Sequence, residues 1–305
     1  MEVKLNLSCR VLFFVAIVFI AGLGPPQTSS AADPLNIYVV NYPLKYFTER
    51  IGGEHVRVTF PAPPDVDPAY WVPDIDTITD YQKADLIILN GATYAKWTGK
   101  TSLPRARLVN TSRKFQDRYI TIAGSVTHSH GPGGEHAHGE IAFTTWLDFR
   151  LAAKQAEAIG EALVRKAPQH RDAFMKNLAS LQDELKAFDS AARTIVGRNP
   201  ARAIVVSHPV YDYLARAYGM SIKSLHWEPD EFPNQTQWME LEKLLKKHPS
   251  EWILWEGPPD QKIVSELKAR GIRSTVFEPM GNVPEDGDFM KGMKQNIRNL
   301  EEIYK

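Results

Sequence analysis

The sequence predicts an α/β fold of two lobes, each a parallel sheet flanked by helices, joined by one long helix. Three observations predict it. Short β-rich runs alternate with helical segments through both halves of the chain, the pattern of parallel sheets covered by helices. Ala84-Asp-Leu-Ile-Ile-Leu89 is an almost continuous apolar run, which suits a strand buried on both faces. Between the halves, Phe174, Leu178, Leu181, Leu185 and Phe188 are spaced 4, 3, 4 and 3, a single apolar stripe on one helix.

Residues 1–32 read as a secretory signal. Lys4 and Arg10 precede the apolar run 11–23, and the small residues Ser29-Ser30-Ala31-Ala32 suit cleavage. The run is 13 residues long, short of the roughly 20 that span a membrane. Cys9, the single cysteine, stands before the run, whereas a lipid-attachment cysteine would follow it, so a lipid anchor is not expected. The mature chain is expected to be soluble, extracytoplasmic and, in a Gram-negative source, periplasmic.

The first lobe is expected over 33–166. Asn36–Val40 is a strand, and Pro43 opens a helix that Gly52-Gly53 ends. Val56–Phe60 alternates as a strand, and the Pro- and Asp-dense stretch 61–73 is a loop. Asp76–Lys83 reads as helix, Ala84–Leu89 as strand and Arg107–Val109 as a further strand. Residues 124–140 hold five Gly, one Pro and four His, with nothing to build a core, and predict an exposed loop. Ala152, Ala156, Ile159 and Leu163 share one helix face. The interlobe helix is expected over 167–196, with Pro168 at its start.

The second lobe, 197–305, repeats the alternation. Strands are expected at Ala203–Val206, Ser221–Leu225, Trp252–Trp255 and Ser274–Phe277. Helices are expected at Tyr211–Tyr218, Trp238–Lys247, Ile263–Arg270 and Phe289–Tyr304. Open sheets of this kind bind ligands at strand carboxyl ends, here in the cleft between the lobes.

Charge excludes one class of partner. Lys plus Arg is 36 and Asp plus Glu is 36, so no basic excess exists to neutralise a phosphate backbone, and nucleic acid is not expected. A single cysteine excludes a disulfide framework and a zinc–thiolate cluster. The sequence contains no His-Glu-x-x-His, Gly-x-Ser-x-Gly or phosphate-loop motif. No catalysis is therefore expected.

The histidines carry the chemistry. His128, His130, His136 and His138 fall within eleven residues, with Glu135 and Glu140 among them. Imidazole is neutral near pH 7 and is the commonest metal ligand, so such a tract reads as metal binding. His208 directly follows the strand 203–206, and Glu278 the strand 274–277. These strand-end positions would bring one imidazole and one carboxylate to one cleft. Glu256, after Trp252–Trp255, and Glu228, in His226-Trp-Glu-Pro, are further carboxylate candidates. His55, His170 and His248 sit in polar surroundings and read as surface residues.

The mature chain resembles the solute-binding proteins of zinc/manganese ABC importers, the zinc-uptake type of cluster A-I. The likeness rests on Asn41-Tyr-Pro-Leu44 with Glu49-Arg-Ile-Gly-Gly53, Pro64-Asp-Val-Asp-Pro68 and Ala84-Asp-Leu-Ile-Ile-Leu-Asn-Gly91. It continues through Thr145-Trp-Leu-Asp148, Ser207-His208, Tyr218-Gly219 and Gly287-Asp288. It implies a rigid helix between the lobes and a metal site in the cleft, with His208 and Glu278 as the third and fourth ligands. Where the family places its first two histidines, this chain has Ala69 and Thr144. The expectation is that the His-rich loop folds in and that His136 and His138 replace the missing pair. The function so implied is capture of Zn(II), or Mn(II), by a monomer that hands the ion to a membrane permease. A metal-dependent adhesin or storage protein is the alternative, and a periplasmic zinc hydrolase a further one.

Overall fold

In the computed structural model, residues 1–2, 33–122, 127–129, 135–137 and 141–305 are described, with the backbone alone for 127–129 and 135–137. The first lobe opens with β1 (Leu35–Val39) and α1 (Tyr42–Gly52). Asn41 caps α1, its Oδ1 accepting the Leu44 amide at 3.2 Å, and Gly53 ends it at a φ of 54°. β2 (Val56–Thr59), α2 (Ile75–Lys83), β3 (Leu86–Leu89) and β4 (Leu108–Asn110) follow. The four strands form one parallel sheet in the order β2-β1-β3-β4.

α3 (Phe149–Lys166) buries the expected face, Ala152, Ala156, Ile159 and Leu163. A 3-10 turn at Pro168–His170 precedes α4 (Arg171–Val196), so the long helix starts three residues later than Pro168 suggests. α4 is 26 residues long, about 39 Å at 1.5 Å per residue. Its stripe from Phe174 to Phe188 is buried and continues through Ala192 and Ile195. Burial of the five large side chains in that stripe contributes on the order of 10 kcal/mol.

The second lobe has β7 (Ala203–Val206), α5 (Asp212–Tyr218), β8 (Ser221–Ser224), α6 (Gln235–Lys247), β9 (Trp252–Trp255), α7 (Gln261–Ala269), β10 (Arg273–Val276) and α8 (Phe289–Tyr304). Its parallel sheet runs β10-β9-β7-β8. Asn234 and Gln237 form a reciprocal capping box that starts α6 three residues before the apolar pattern does. α4 packs on α1 and α3 from the first lobe and on α5 and α8 from the second. Both lobes lie within one compact unit, Pro34–Lys305.

Two expectations change. Within the segment expected to be a loop, β5 (Thr127–Ser129) and β6 (Glu135–Ala137) pair antiparallel, with His128 opposite His136. His130 and His138 lie outside the described residues. His55, His170 and His248 are half-buried, not plain surface residues. The His55 and His170 rings stack at 3.7 Å, and His248 Nε2 lies 3.2 Å from the Ile204 carbonyl. Among the described residues, no helix is long and apolar enough to cross a membrane.

Candidate metal centre

The second sheet presents one candidate ligand beyond the carboxyl end of each of its four strands. In spatial order these are Glu278 after β10, Glu256 after β9, His208 after β7 and Glu228 after β8. Backbone bonds extend the sheet past its named strands and fix these positions. Ser207 N donates to Leu254 O at 2.9 Å, Trp227 N to Ser207 O at 2.9 Å and Phe277 N to Trp255 O at 2.8 Å.

His208 is 2% exposed and stands between two carboxylates. Glu256 Oε1 lies 3.2 Å from His208 Nδ1, and Glu228 Oε1 lies 3.7 Å from Nε2. These three residues can bring ligand atoms within 4.8 Å of one another, a cluster fit to hold a metal ion. His226 adds a second ring, edge-on to His208 at 5.8 Å between centroids. Glu278 sits two strands from His208, roughly twice the 4.7–4.9 Å strand spacing. Burial, and then the neighbouring Glu285 charge, pushes its carboxyl above the usual range. Its backbone is gripped at both ends by the buried Asn296: Glu278 N donates to Asn296 Oδ1 at 3.0 Å, and Asn296 Nδ2 donates to Glu278 O at 2.7 Å.

The first sheet ends differently. Its strands lead to the buried Asn41, Asn90 and Thr111; Asn41 Nδ2 donates to Asn90 Oδ1 at 3.4 Å, and Gln155 on α3 links Asn90 to Thr111. Gln155 Nε2 donates to Asn90 Oδ1 and to Thr111 Oγ1, each at 3.0 Å. Asn90 Nδ2 donates to the Phe143 carbonyl at 2.9 Å and so fixes the approach to Thr144. Beyond β3 the backbone turns through positive φ at Gly91, Ala92, Thr93 and Ala95, and across the cleft Met280 has a φ of 61°. Backbone strain of this kind is held in place where surrounding structure over-determines it, and it clusters at functional sites.

Between the lobes lies a cavity of about 640 Å³. His208, Glu256 and Glu278 face it from the second lobe, and Glu228 does not line it. Asp67, Tyr70, Tyr94, Phe143 and Trp146 face it from the first lobe. Among the described residues, five carboxylates line the cavity (Asp67, Glu256, Glu278, Glu285 and Asp286) and no lysine or arginine does. Burial, then Asp67 and Glu256, pushes the Tyr70 phenol far up.

Several bonds stitch the lobes. Thr144 Oγ1 donates to the Val210 carbonyl and Trp146 Nε1 to the Pro279 carbonyl, each at 2.6 Å. Asn282 Nδ2 donates to Pro63 O at 2.7 Å and to Val66 O at 2.9 Å. Ala69, at the other position where the resemblance places a histidine, is 2% exposed, and its amide donates to Asp67 Oδ1 at 2.8 Å. Ile122 and Ile141, the roots of the His-rich segment, line a separate small hollow. Phe143, Thr144 and Val210 border both spaces.

The sequence singled out His208 and Glu278, and both line the cavity. It ranked Glu256 and Glu228 behind Glu278, yet these two are the immediate partners of His208. Asp67 was visible only as part of a motif. The Asp-x-Ala turn that aims its carboxylate beside the cavity was the available signal.

The family model described as the zinc-uptake complex component A, periplasmic, matches residues 37–303. The zinc-binding lipoprotein AdcA of Streptococcus pneumoniae is 25% identical over 284 residues, which cover 89% of this chain and 56% of AdcA. The chain thus spans about half the length of that relative. The manganese ABC transporter substrate-binding lipoprotein PsaA of Streptococcus pneumoniae is 26% identical over 310 residues, covering 97% of this chain and 98% of PsaA. The metal-dependent lipoprotein YcdH of Bacillus subtilis shares the fold, with a TM-score of 0.76 at 21% identity over 89% of this chain and all of that one. With a match that runs from the first strand to the last helix, the chain belongs to the ZnuA family of periplasmic zinc-uptake components.

Proposed function

We propose that this protein captures Zn(II), with Mn(II) as the second choice, outside the cytoplasm and delivers it to the permease of an ABC importer. One observation carries the reading: a buried imidazole and the carboxylates of Asp67, Glu256 and Glu278 line an interlobe cleft that, among the described residues, no lysine or arginine lines. A divalent cation is what such a surface attracts. Family membership and the zinc- and manganese-binding relatives support the same cargo. The signal-like segment 1–32 supports export. The chemistry is binding and release, and no bond of a substrate is broken.

The donors have distinct roles in this reading. Glu228 stands off the cavity at His208 Nε2. In this reading it orients the ring from behind, the usual work of a carboxylate behind a ligating histidine. Glu256, beside Nδ1, and Glu278, one strand further, add charged oxygen donors. One imidazole with carboxylates suits Zn(II) and also Mn(II), so the donor set accepts both. The segment with His128, His130, His136 and His138 adds imidazole donors to this chain, either completing the site or collecting metal for it.

Calorimetry of the metal-free protein with Zn(II) and Mn(II) tests the reading. One tight zinc site that His208→Ala abolishes is the expected result. Zinc binding left intact by His208→Ala, or no binding of either ion, overturns it.

A further inference from the structure

The cavity is far larger than its expected cargo. About 640 Å³ is room for on the order of twenty waters at ~30 Å³ each, whereas a bare ion with its donors needs a small fraction of that. The volume falls within the roughly 300–1,000 Å³ range of pockets that bury small organic molecules.

The two walls also differ in kind. His208, Glu256 and Glu278 all project from the second lobe, from strand ends of one sheet. An ion seated on them turns its opposite side toward the first lobe. That lobe offers linked aromatic rings: Tyr70 to Phe143 at 6.0 Å, Phe143 to Tyr94 at 5.3 Å and Tyr94 to Trp146 at 5.8 Å, all edge-on. Tyr94 and Trp146 are buried, while Tyr70 and Phe143 are half-buried and line the open space. Apart from Asp67, whose Oδ1 accepts the Ala69 amide, and Lys96, whose Nζ lies 5.3 Å from the Tyr70 centroid without lining the cavity, this wall supplies ring faces and edges. Rings bind planar apolar groups by stacking and edge contacts.

We propose that the cargo is a divalent ion carried in a small bidentate chelator with an aromatic ring. The chelator's donors complete the coordination sphere on the side away from His208, and its ring lies against Tyr70 and Phe143. This deepens the metal-capture reading and rests on it. Anionic donors on one wall and aromatic rings on the other match the two halves of such a complex.

The test compares Zn(II) alone with Zn(II) premixed with one equivalent of 2,2'-bipyridine, by calorimetry on the metal-free protein. Native mass spectrometry reads the stoichiometry. The expected result is at least tenfold tighter binding of the chelate, with one zinc and one bipyridine on each protein. Phe143→Ala should bring the ratio of the two affinities to within about threefold of unity. If bipyridine strips zinc from the protein, or if the ion binds as tightly without it, the cargo is the bare ion: the inference fails and metal capture stands. If neither form binds, both fail.

Discussion

Glu256 Oε1 approaches His208 Nδ1 to 3.2 Å, while Glu228 Oε1 stands 3.7 Å from the ring's other nitrogen. In the proposed function the two carboxylates do different work, and substitution separates them. Glu228→Gln weakens orientation and is expected to cost about 10–100-fold in zinc affinity. Glu256→Gln removes a charged donor and is expected to cost more. Calorimetric titration of both variants checks the order, and equal losses would contradict the assignment.

Metal binding should release protons and weaken with acid. An imidazole must be neutral to bind. The Glu278 carboxyl, raised by burial and by Glu285, holds its proton to higher pH than an ordinary glutamate. Both effects have the same sign, so affinity falls as pH drops from 7.5 to 5.5. Titrations in buffers of different ionisation enthalpy read the proton release, and a flat affinity across that range would rule out histidine ligation.

Asp212 makes a separate prediction about stability. Its carboxyl is raised above 3.8 by burial, and its Oδ2 has no hydrogen-bond partner among the described residues. The folded state therefore binds the proton more tightly than the unfolded state. Its contribution is most favourable below the ordinary aspartate value and is lost as pH rises through the raised folded value. Asp212→Asn removes this dependence, so the melting-temperature gap in its favour should widen between pH 4 and pH 7.

The amide network under the first wall is a matter of satisfaction more than attraction. Asn90→Ala removes one of the two 3.0 Å acceptors of Gln155 Nε2, and Thr145 Oγ1 loses a partner at 3.4 Å. A cost of about 1–3 kcal/mol is expected from urea unfolding. Phe143 also loses the bond to its carbonyl.

Helix stripes and strand runs were legible because burial imposes a period. Phe174 through Phe188 and Ala152 through Leu163 needed no partner to be recognised. The site was legible one strand end at a time. His208, Glu256 and Glu278 each follow an expected strand, but strand order decides which become neighbours. The order β10-β9-β7-β8 sets Glu256 and Glu228 beside His208 and Glu278 beyond them. No local pattern encodes that order. Gln155 was invisible for a related reason, since a polar residue at a buried helix position reads as exposed until its partners from two strands arrive. Side-chain roles for the His-rich segment lie outside the described residues.

Asn282 ties the second lobe to the loop at Pro63 and Val66, beside the exposed rim formed by Val283, Glu285 and Asp286. Two neutral hydrogen bonds are worth on the order of 1–3 kcal/mol together. Such a latch sets how far apart the two walls stand at the rim, a spacing it holds without using any of the candidate ligands.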